Sequence, residues 1–507
     1  MMGILSHVFR RKRDIGFHPQ QRPLYDMALN TENLKRIFEG CGDFTVMPVR
    51  LGGADGRVTG ELCYLDGVVD GQAVGGEVLR PLTEESRFGG VKSARAAAAL
   101  ITSGLAYFYS TRQRETMAQV VDDLVAGWCV LVFDGLAVSF ETKTSNQRSI
   151  EKPEMEKPLK GSKDAFSEAF RTNTSLLRRK VRSPALKLAE TAVGRRTRTK
   201  VAVAYIEGLT NPTTVAAVQR RLRRIDIDGL LVTGDLEEYL LDRTSPFPQI
   251  VLTERPDRFA MELLSGRVGL LVDGIPFGFL LPATLAEQLK VPEDNAGHSL
   301  TVSVLTLLRY MAMLLSVLLP AVYVAVTMYH QEMIPTKLML SIIQSKQDVP
   351  FSTAAEVLGM LVAFELLQEA GLRLPETIGE TVSIIGALIV GQSAVEARVI
   401  SPVVVIVVAV AGITGYTMPN QDLASALRLC RFGMVLVSLA LGLFGMVIGG
   451  LLLIYYLCTL ESLGTAYMAP FCEGGVRDVC AAIIRFPLPS SKYRDRFLHP
   501  ANVRNQK

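Results

Sequence analysis

Residues 432–460 contain no Asp, Glu, Lys or Arg, and neither do residues 311–328, 381–395 or 399–421. A bilayer core of about 30 Å is crossed by about 20 apolar residues in a helix. Several such runs commit the second half of the chain to a helical membrane region. The charges are distributed accordingly. Residues 301–507 hold 14 basic and 13 acidic side chains, 27 of the 104 (54 basic plus 50 acidic) in the chain. The charged fraction therefore roughly halves at the midpoint, which excludes both a single soluble enzyme and a disordered chain. A net charge of +4 gives no reason to expect a nucleic-acid partner.

The first half has the character of a protein that stays where it is made. Its opening places a few apolar residues before the basic cluster Arg10–Arg13, the reverse of a signal peptide. The seven cysteines include no C-x-x-C spacing and the five histidines stand far apart. A reducing compartment follows, with no metal, no cofactor and no enzymatic nucleophile–base pair. A connector rich in Lys, Glu, Pro and Ser near residues 142–162 separates two stretches that echo each other. QVVDDLVAGWCVLVFDG (119–135) and RFAMELLSGRVGLLVDG (258–274) both read as helix, Gly turn, buried strand and tight turn; CYLDGVVD (63–70) and AYIEGLTN (204–211) match upstream. The spacings predict a duplicated α/β unit. Asp134, Gly135, Asp273 and Gly274 are structural turn residues in this reading, because Gly after an acid permits positive φ at no steric cost. The run Arg171, Arg178, Arg179, Lys180, Arg182, Lys187, Arg195, Arg196, Arg198 and Lys200 reads best as a solvated helix face, with anionic lipid, an acidic partner or nucleic acid as alternatives, the last weakened by the lack of interleaved aromatic residues.

The fold class is thus an α/β cytosolic region of two related subdomains followed by an α-helical polytopic membrane domain. The boundaries are a basic N-terminal segment (1–28), α/β subdomain 1 (29–145), a charged connector with a basic helical segment (146–200), α/β subdomain 2 (201–295), the membrane domain (301–465) and a basic cytoplasmic tail (466–507). The excess of Lys and Arg after residue 484 marks the cytoplasmic face. With the first half inside as well, the crossings are even in number. About four are expected, at 305–328, 381–397, 399–418 and 432–460, with 351–371 interfacial or re-entrant because Glu365 and Glu369 lie one turn apart on one face. Arg428 and Arg431 then fall in an outer loop.

Charges inside such a region face protein, water or an opposite charge. Glu365, Glu369, Glu396 and Arg398 are the candidates for gating or permeation, together with the Gly391–Gln392 pair that interrupts a helical pattern.

The stretches YHQEMIPTKLMLSI (329–342), KQDVPF (346–351), FELLQEAGLRLPETIGETVSIIGALIVGQSAVEARVISP (364–402), MPNQDLASALRLCRF (418–432) and AYMAPF (466–471) resemble the A subunit of the GerA-type spore germinant receptors. In the first half YIEGLTNP (205–212) and LLVDGIPFGFLLP (270–282) fit the same pattern. The resemblance implies a homo-oligomer in the lipid of the spore inner membrane, assembled with a transporter-like B subunit that takes the germinant and a C-subunit lipoprotein. It implies a ligand-gated ion channel, in which an acidic ring favours cations. A non-conducting accessory or scaffold paralogue is the alternative, and a secondary transporter a weaker one.

Overall fold

A computed structural model describes residues 25–505, apart from 53–56, 85–87, 89, 104–109, 144–152, 154–155, 157–160, 242–243 and 374–390. The chain divides into two compact units. One takes the residues up to Ser149 with Thr174–Ala189 and Arg504–Lys507, and the other takes Ile150–Asn173 with Glu190–Val503.

In the first unit, α1 (Thr31–Ile37) leads into β1 (Phe44–Leu51) and β2 (Val58–Leu65), and α2 (Ala94–Thr102) into β3 (Thr111–Arg114). Next, α3 (Met117–Val125) precedes β4 (Cys129–Phe133) and β5 (Leu136–Phe140). The strands form an antiparallel sheet in the order β1-β2-β4-β5-β3. Every residue of β4 is buried. Alternate side chains of a strand point to opposite faces. Val130 and Val132 accordingly pack with Leu34 and Phe38 of α1 and its C-terminus and with Val121 and Leu124 of α3, while Leu131 and Phe133 pack with Ala97, Ala98 and Ile101 of α2. A strand covered on both faces reads as an unbroken apolar run, which is why CVLVF shows no alternation.

The second α/β layer repeats this plan. It comprises α4 (Phe170–Lys180), β6 (Leu186–Val193), β7 (Thr199–Ile206), α5 (Pro212–Leu222), α6 (Thr233–Leu240), β8 (Val251–Thr253), α7 (Pro256–Ser265), β9 (Val268–Val272) and β10 (Gly278–Leu281). Its strand order, β6-β7-β9-β10-β8, is the first order with five added to each number. The repeat extends to single hydrogen bonds. Gly135 (φ +78°) donates its N–H to the Leu29 carbonyl just before α1, at 3.0 Å, and Gly274 (φ +81°) donates to the Glu168 carbonyl just before α4, at 2.9 Å. The duplication inferred from two short echoes therefore spans a whole five-stranded layer.

The helical region follows within the second unit: α8 (Ser299–Met328), α9 (Thr336–Lys346), α10 (Thr353–Arg373), α11 (Pro402–Tyr416), α12 (Gln421–Thr459) and α13 (Val476–Ile483). By length and composition α8 and α12 are long and apolar enough to cross a bilayer. However, α12 is not one straight rod. Gly442 has φ +61° and ψ −143°, far from helical values. A Cβ placed on Gly449 would lie 2.9 Å from Met434 Sδ, although fifteen residues of straight helix separate their ends by about 22 Å. The helix therefore folds back on itself at Gly442. Its two ends confirm the reversal. Asn420, the N-cap, donates from Nδ2 to Gln288 Oε1 at 2.6 Å, and the Tyr456 hydroxyl bonds Ser245 Oγ at 3.0 Å, so both ends reach residues that precede α8.

The run expected as one crossing at 432–460 is therefore not one straight helix. The legs 421–441 and 443–459 are about 31 Å and about 25 Å long at 1.5 Å per residue. The structure corrects the outer loop assigned to Arg428 and Arg431, since both lie inside the first leg. Of the span expected at 381–397, residues 381–390 lie outside the described residues, and 391–396 are helical.

Candidate functional site in the helical region

The charged residues of this region are gathered by helices distant in sequence. Arg428 on the first leg of α12 donates from Nη1 to Glu365 Oε1 at 2.6 Å and to Gln368 Oε1 at 2.9 Å, and from Nη2 to Ser425 Oγ at 2.7 Å. Glu365 is thereby held against α12, while Glu369, one turn further along α10, is exposed. At the other end of α10, Glu356 is 2% exposed. Its Oε2 accepts the Ser401 N–H at 2.8 Å, and its Oε1 lies 3.0 Å from Lys346 Nζ, which also bonds Thr353 Oγ1. Burying either charge alone is costly, so the pair accounts for how both are tolerated.

The remaining candidates are less concentrated. Gly391 is buried beside Val405, and Gln392 and Glu396 are exposed. Arg398 pairs not with its near neighbour Glu396 but with Asp348, at 2.6 Å, with both side chains more than half exposed. An exposed pair of this kind contributes at most about 1 kcal/mol. Thus Glu365 joins a helix-to-helix contact, whereas Glu396 and Arg398 occupy a surface away from it in sequence and in partners.

Sequence reasoning missed Arg431. It is 3% exposed, and its hydrogen bonds run to backbone: Nε donates to the Ser316 carbonyl at 2.6 Å and Nη2 to the Ala411 carbonyl at 3.0 Å. The reason lies on α8. Pro320 has no N–H, so the carbonyl four residues earlier, that of Ser316, loses its intrahelical donor. Arg431 supplies the donor from another helix and joins α8, α11 and α12. The two helices are tied again where Ser438 Oγ donates to the Ala321 carbonyl at 2.7 Å, and once more at the fold-back, where the Tyr329 hydroxyl donates to the Leu439 carbonyl. There the Tyr329 ring lies against Gly442, where an added Cβ would come within 3.1 Å. Glycine meets both demands of this position, a positive φ and close contact. The sequence signals were Pro320 and an Arg inside apolar helices, but their spacing does not reveal that they meet.

Comparison with known proteins places this arrangement. The GerA family, described as Bacillus/Clostridium GerA spore germination protein, matches residues 32–497. The chain belongs to the GerA family. It is 36% identical over 471 residues to the uncharacterized membrane protein YfkQ of Bacillus subtilis, covering 91% of this chain and 90% of that protein. It is 34% identical over 474 residues to spore germination protein B1 of the same organism, covering 92% and 96%. Among solved structures, the N-terminal domain of the A subunit of the Bacillus megaterium spore germinant receptor GerK3 aligns at 28% identity and a TM-score of 0.41, covering 51% of this chain and 98% of that domain.

In this GerA-family chain the α/β layers carry their own buried charges. Two members of the basic run are not on a solvated helix face. Arg178, 1% exposed, donates from Nε and Nη2 to the two carboxylate oxygens of Asp43 at 2.7 and 2.8 Å, and buried Lys187 donates to the Ile37 carbonyl at 2.8 Å. This corrects the solvated reading for these two residues. In the second unit, Arg267 reaches Glu262 at 3.2 Å and Glu287 at 3.4 Å. Burial, then the nearby Glu287 charge, pushes the Glu262 carboxyl up to about 8. Burial also opposes the charge on Glu287, but Arg267 and Lys290 outweigh it and hold that carboxyl below its usual range. Beside this cluster Arg309 of α8 makes a fork to Asp294, at 2.6 and 3.1 Å, and so fixes the base of the helix. The turns at Asp134–Gly135 and Asp273–Gly274 connect β4 to β5 and β9 to β10. Among the described residues no three His, Cys, Asp or Glu side chains gather as a metal site.

Proposed function

We propose that this chain is a membrane subunit of a spore germinant receptor that oligomerises and acts in nutrient-triggered germination as a ligand-gated ion channel. The germinant is bound by a transporter-like B subunit, and a lipoprotein C subunit completes the assembly. The protein resides in the spore inner membrane with its α/β layers and C-terminal tail in the cytoplasm. Membership of a spore germination family supports the biological role. The observation that carries the gating part is the Arg428–Glu365 contact between α10 and α12, a charge pair on apolar helices that opens or closes as the helices move. Charges at membrane depth are costly without such a partner.

In this reading Glu365 governs opening, while Glu369 and Glu396 attract cations toward the path. The test is cation flux from the reconstituted complex with Glu365, Glu369 and Glu396 each changed to Gln. Glu365→Gln, which releases Arg428, is expected to shift the open fraction. The other two changes are expected to reduce preference for cations. Flux and selectivity unchanged in all three variants would sink the assignment.

A further inference from the structure

The seven cysteines carry no disulfide-framework signal in their spacing, yet two of them meet. Cys458 lies in the last turn of α12, and Cys472 lies fourteen residues on, beyond the short hairpin of β11 (Glu461–Ser462) and β12 (Thr465–Ala466). Their sulfurs are 3.5 Å apart and both side chains are exposed. The other five thiols differ. Cys41, Cys63 and Cys129 are buried, and Cys430 and Cys480 are half-buried.

The segment carrying them is tied to residues that precede α8. Two residues before Cys458, Tyr456 bonds Ser245, and in the intervening hairpin Ser462 Oγ donates to the Gln249 carbonyl at 2.9 Å. The Tyr467 carbonyl accepts the Leu285 N–H at 2.9 Å. Both thiols therefore sit on a segment anchored at three points to residues that precede α8. An anchored segment keeps the sulfurs close without the entropy loss of closing a free loop.

We propose that Cys458 and Cys472 form a reversible thiol modification site that closes to a disulfide by exchange with a low-molecular-weight disulfide. The thiolate of Cys458 attacks one sulfur of the small disulfide, forming a mixed disulfide and releasing one small thiolate. The thiolate of Cys472 then attacks the Cys458 sulfur, which closes the protein disulfide and releases the second small thiolate. The two protons lost by the cysteines balance the two small thiols formed. Two electrons pass from the protein dithiol to the small disulfide. Partial desolvation, then the Cys458 sulfur and Glu473, raises the Cys472 thiol above its ordinary range, so it takes the second step. The bridge fastens the end of the second α12 leg to the turn that follows β12.

The test uses the full chain in membrane vesicles, treated with oxidised glutathione, blocked with a maleimide and digested for mass spectrometry. The expected result is the loss of two maleimide labels per chain and a peptide pair linked through Cys458 and Cys472, lighter by two hydrogens. Cys458→Ser and Cys472→Ser each leave a glutathione adduct on the remaining thiol, and a reductant restores both labels in the unmodified sequence. Separate glutathione adducts on both cysteines of one chain, links between chains, or continued labelling of both thiols would overturn the proposal.

Discussion

Two arginines buried almost completely, Arg178 in the first unit and Arg431 among the helices of the second, are satisfied by different means. Arg178 in the first unit meets a carboxylate, both oxygens of Asp43. Arg431 in the helical region meets two carbonyls, and one of them is free because of Pro320. In the α/β layer a neighbouring loop supplies a formal countercharge. Among the apolar helices the acceptors are backbone carbonyls, and that of Ser316 is exposed by the break at Pro320. Helix breaks and buried charge are therefore coupled features here: a proline that looks destabilising on α8 creates the acceptor that α12 uses.

The comparison is broken first at its stronger pole. Asp43→Ala leaves the buried Arg178 guanidinium with the Leu186 carbonyl but no countercharge, and thermal unfolding of the solubilised full chain is expected to show a loss of about 3–5 kcal/mol. Replacing both partners with apolar residues of similar volume recovers most of that loss, because a buried pair is stabilising mainly relative to its half-broken form. In the helical region Arg431→Met strands the Ser316 carbonyl, at a cost of about 1–3 kcal/mol, read as increased proteolysis of the reconstituted protein. If Arg431→Met costs nothing while Asp43→Ala costs several kcal/mol, the carbonyl account of Arg431 is wrong.

A third way of handling buried charge lies at the base of α8, where Glu262 and Glu287 share Arg267. With its folded pKa raised to about 8, Glu262 holds a proton that the unfolded chain releases above about 4.5. Folding then takes up a proton between these values, so this group's contribution to stability falls as pH rises from about 4.5 to about 8. Glu287 acts in the opposite sense, adding stability that is lost as pH falls below the ordinary carboxylate range. Glu262→Gln removes the upper-window loss. Relative to the unmodified chain it is expected to gain stability as pH rises from about 5 to about 8, measured by chemical denaturation across that range. The smallest expected effect tests the link between Pro320 and Arg431. In the Arg431→Met background, Pro320→Ala restores an N–H for the Ser316 carbonyl and recovers about 1 kcal/mol, whereas a purely additive result removes the link.

Much of the architecture was legible because it rests on local pattern. The Asp-Gly turns and the apolar runs CVLVF and VGLLV identify matching strands, and from these the five-stranded repeat follows. The charge-free runs 311–328, 399–421 and 432–460 mark apolar helices. What was not legible depends on long-range placement. Nothing in the sequence distinguishes Gly442 from its neighbours Gly445, Gly449 and Gly450 within one continuous apolar run, so the fold-back was invisible. Arg178 stands in a dense basic run and looks solvated until Asp43, 135 residues earlier, closes over it. Glu365 and Glu369 lie one turn apart, a spacing readable in the sequence, but Arg428 is 63 residues from Glu365. Likewise Arg398 bypasses adjacent Glu396 for Asp348, because its positive φ of 57° and the turn after residue 396 direct the two side chains to different surroundings.

The central structural claim is that α12 turns back at Gly442, so that both its ends reach residues that precede α8. Sidedness of labelling tests it most directly. Single cysteines replacing Ser425, Leu441 and Glu461 in a cysteine-free chain, in sealed vesicles, are treated with a membrane-impermeant maleimide. The account predicts that positions 425 and 461 label from the same face as the α/β layers, and position 441 from the opposite face. Labelling of 425 and 461 from opposite faces would make α12 a single straight crossing and contradict it.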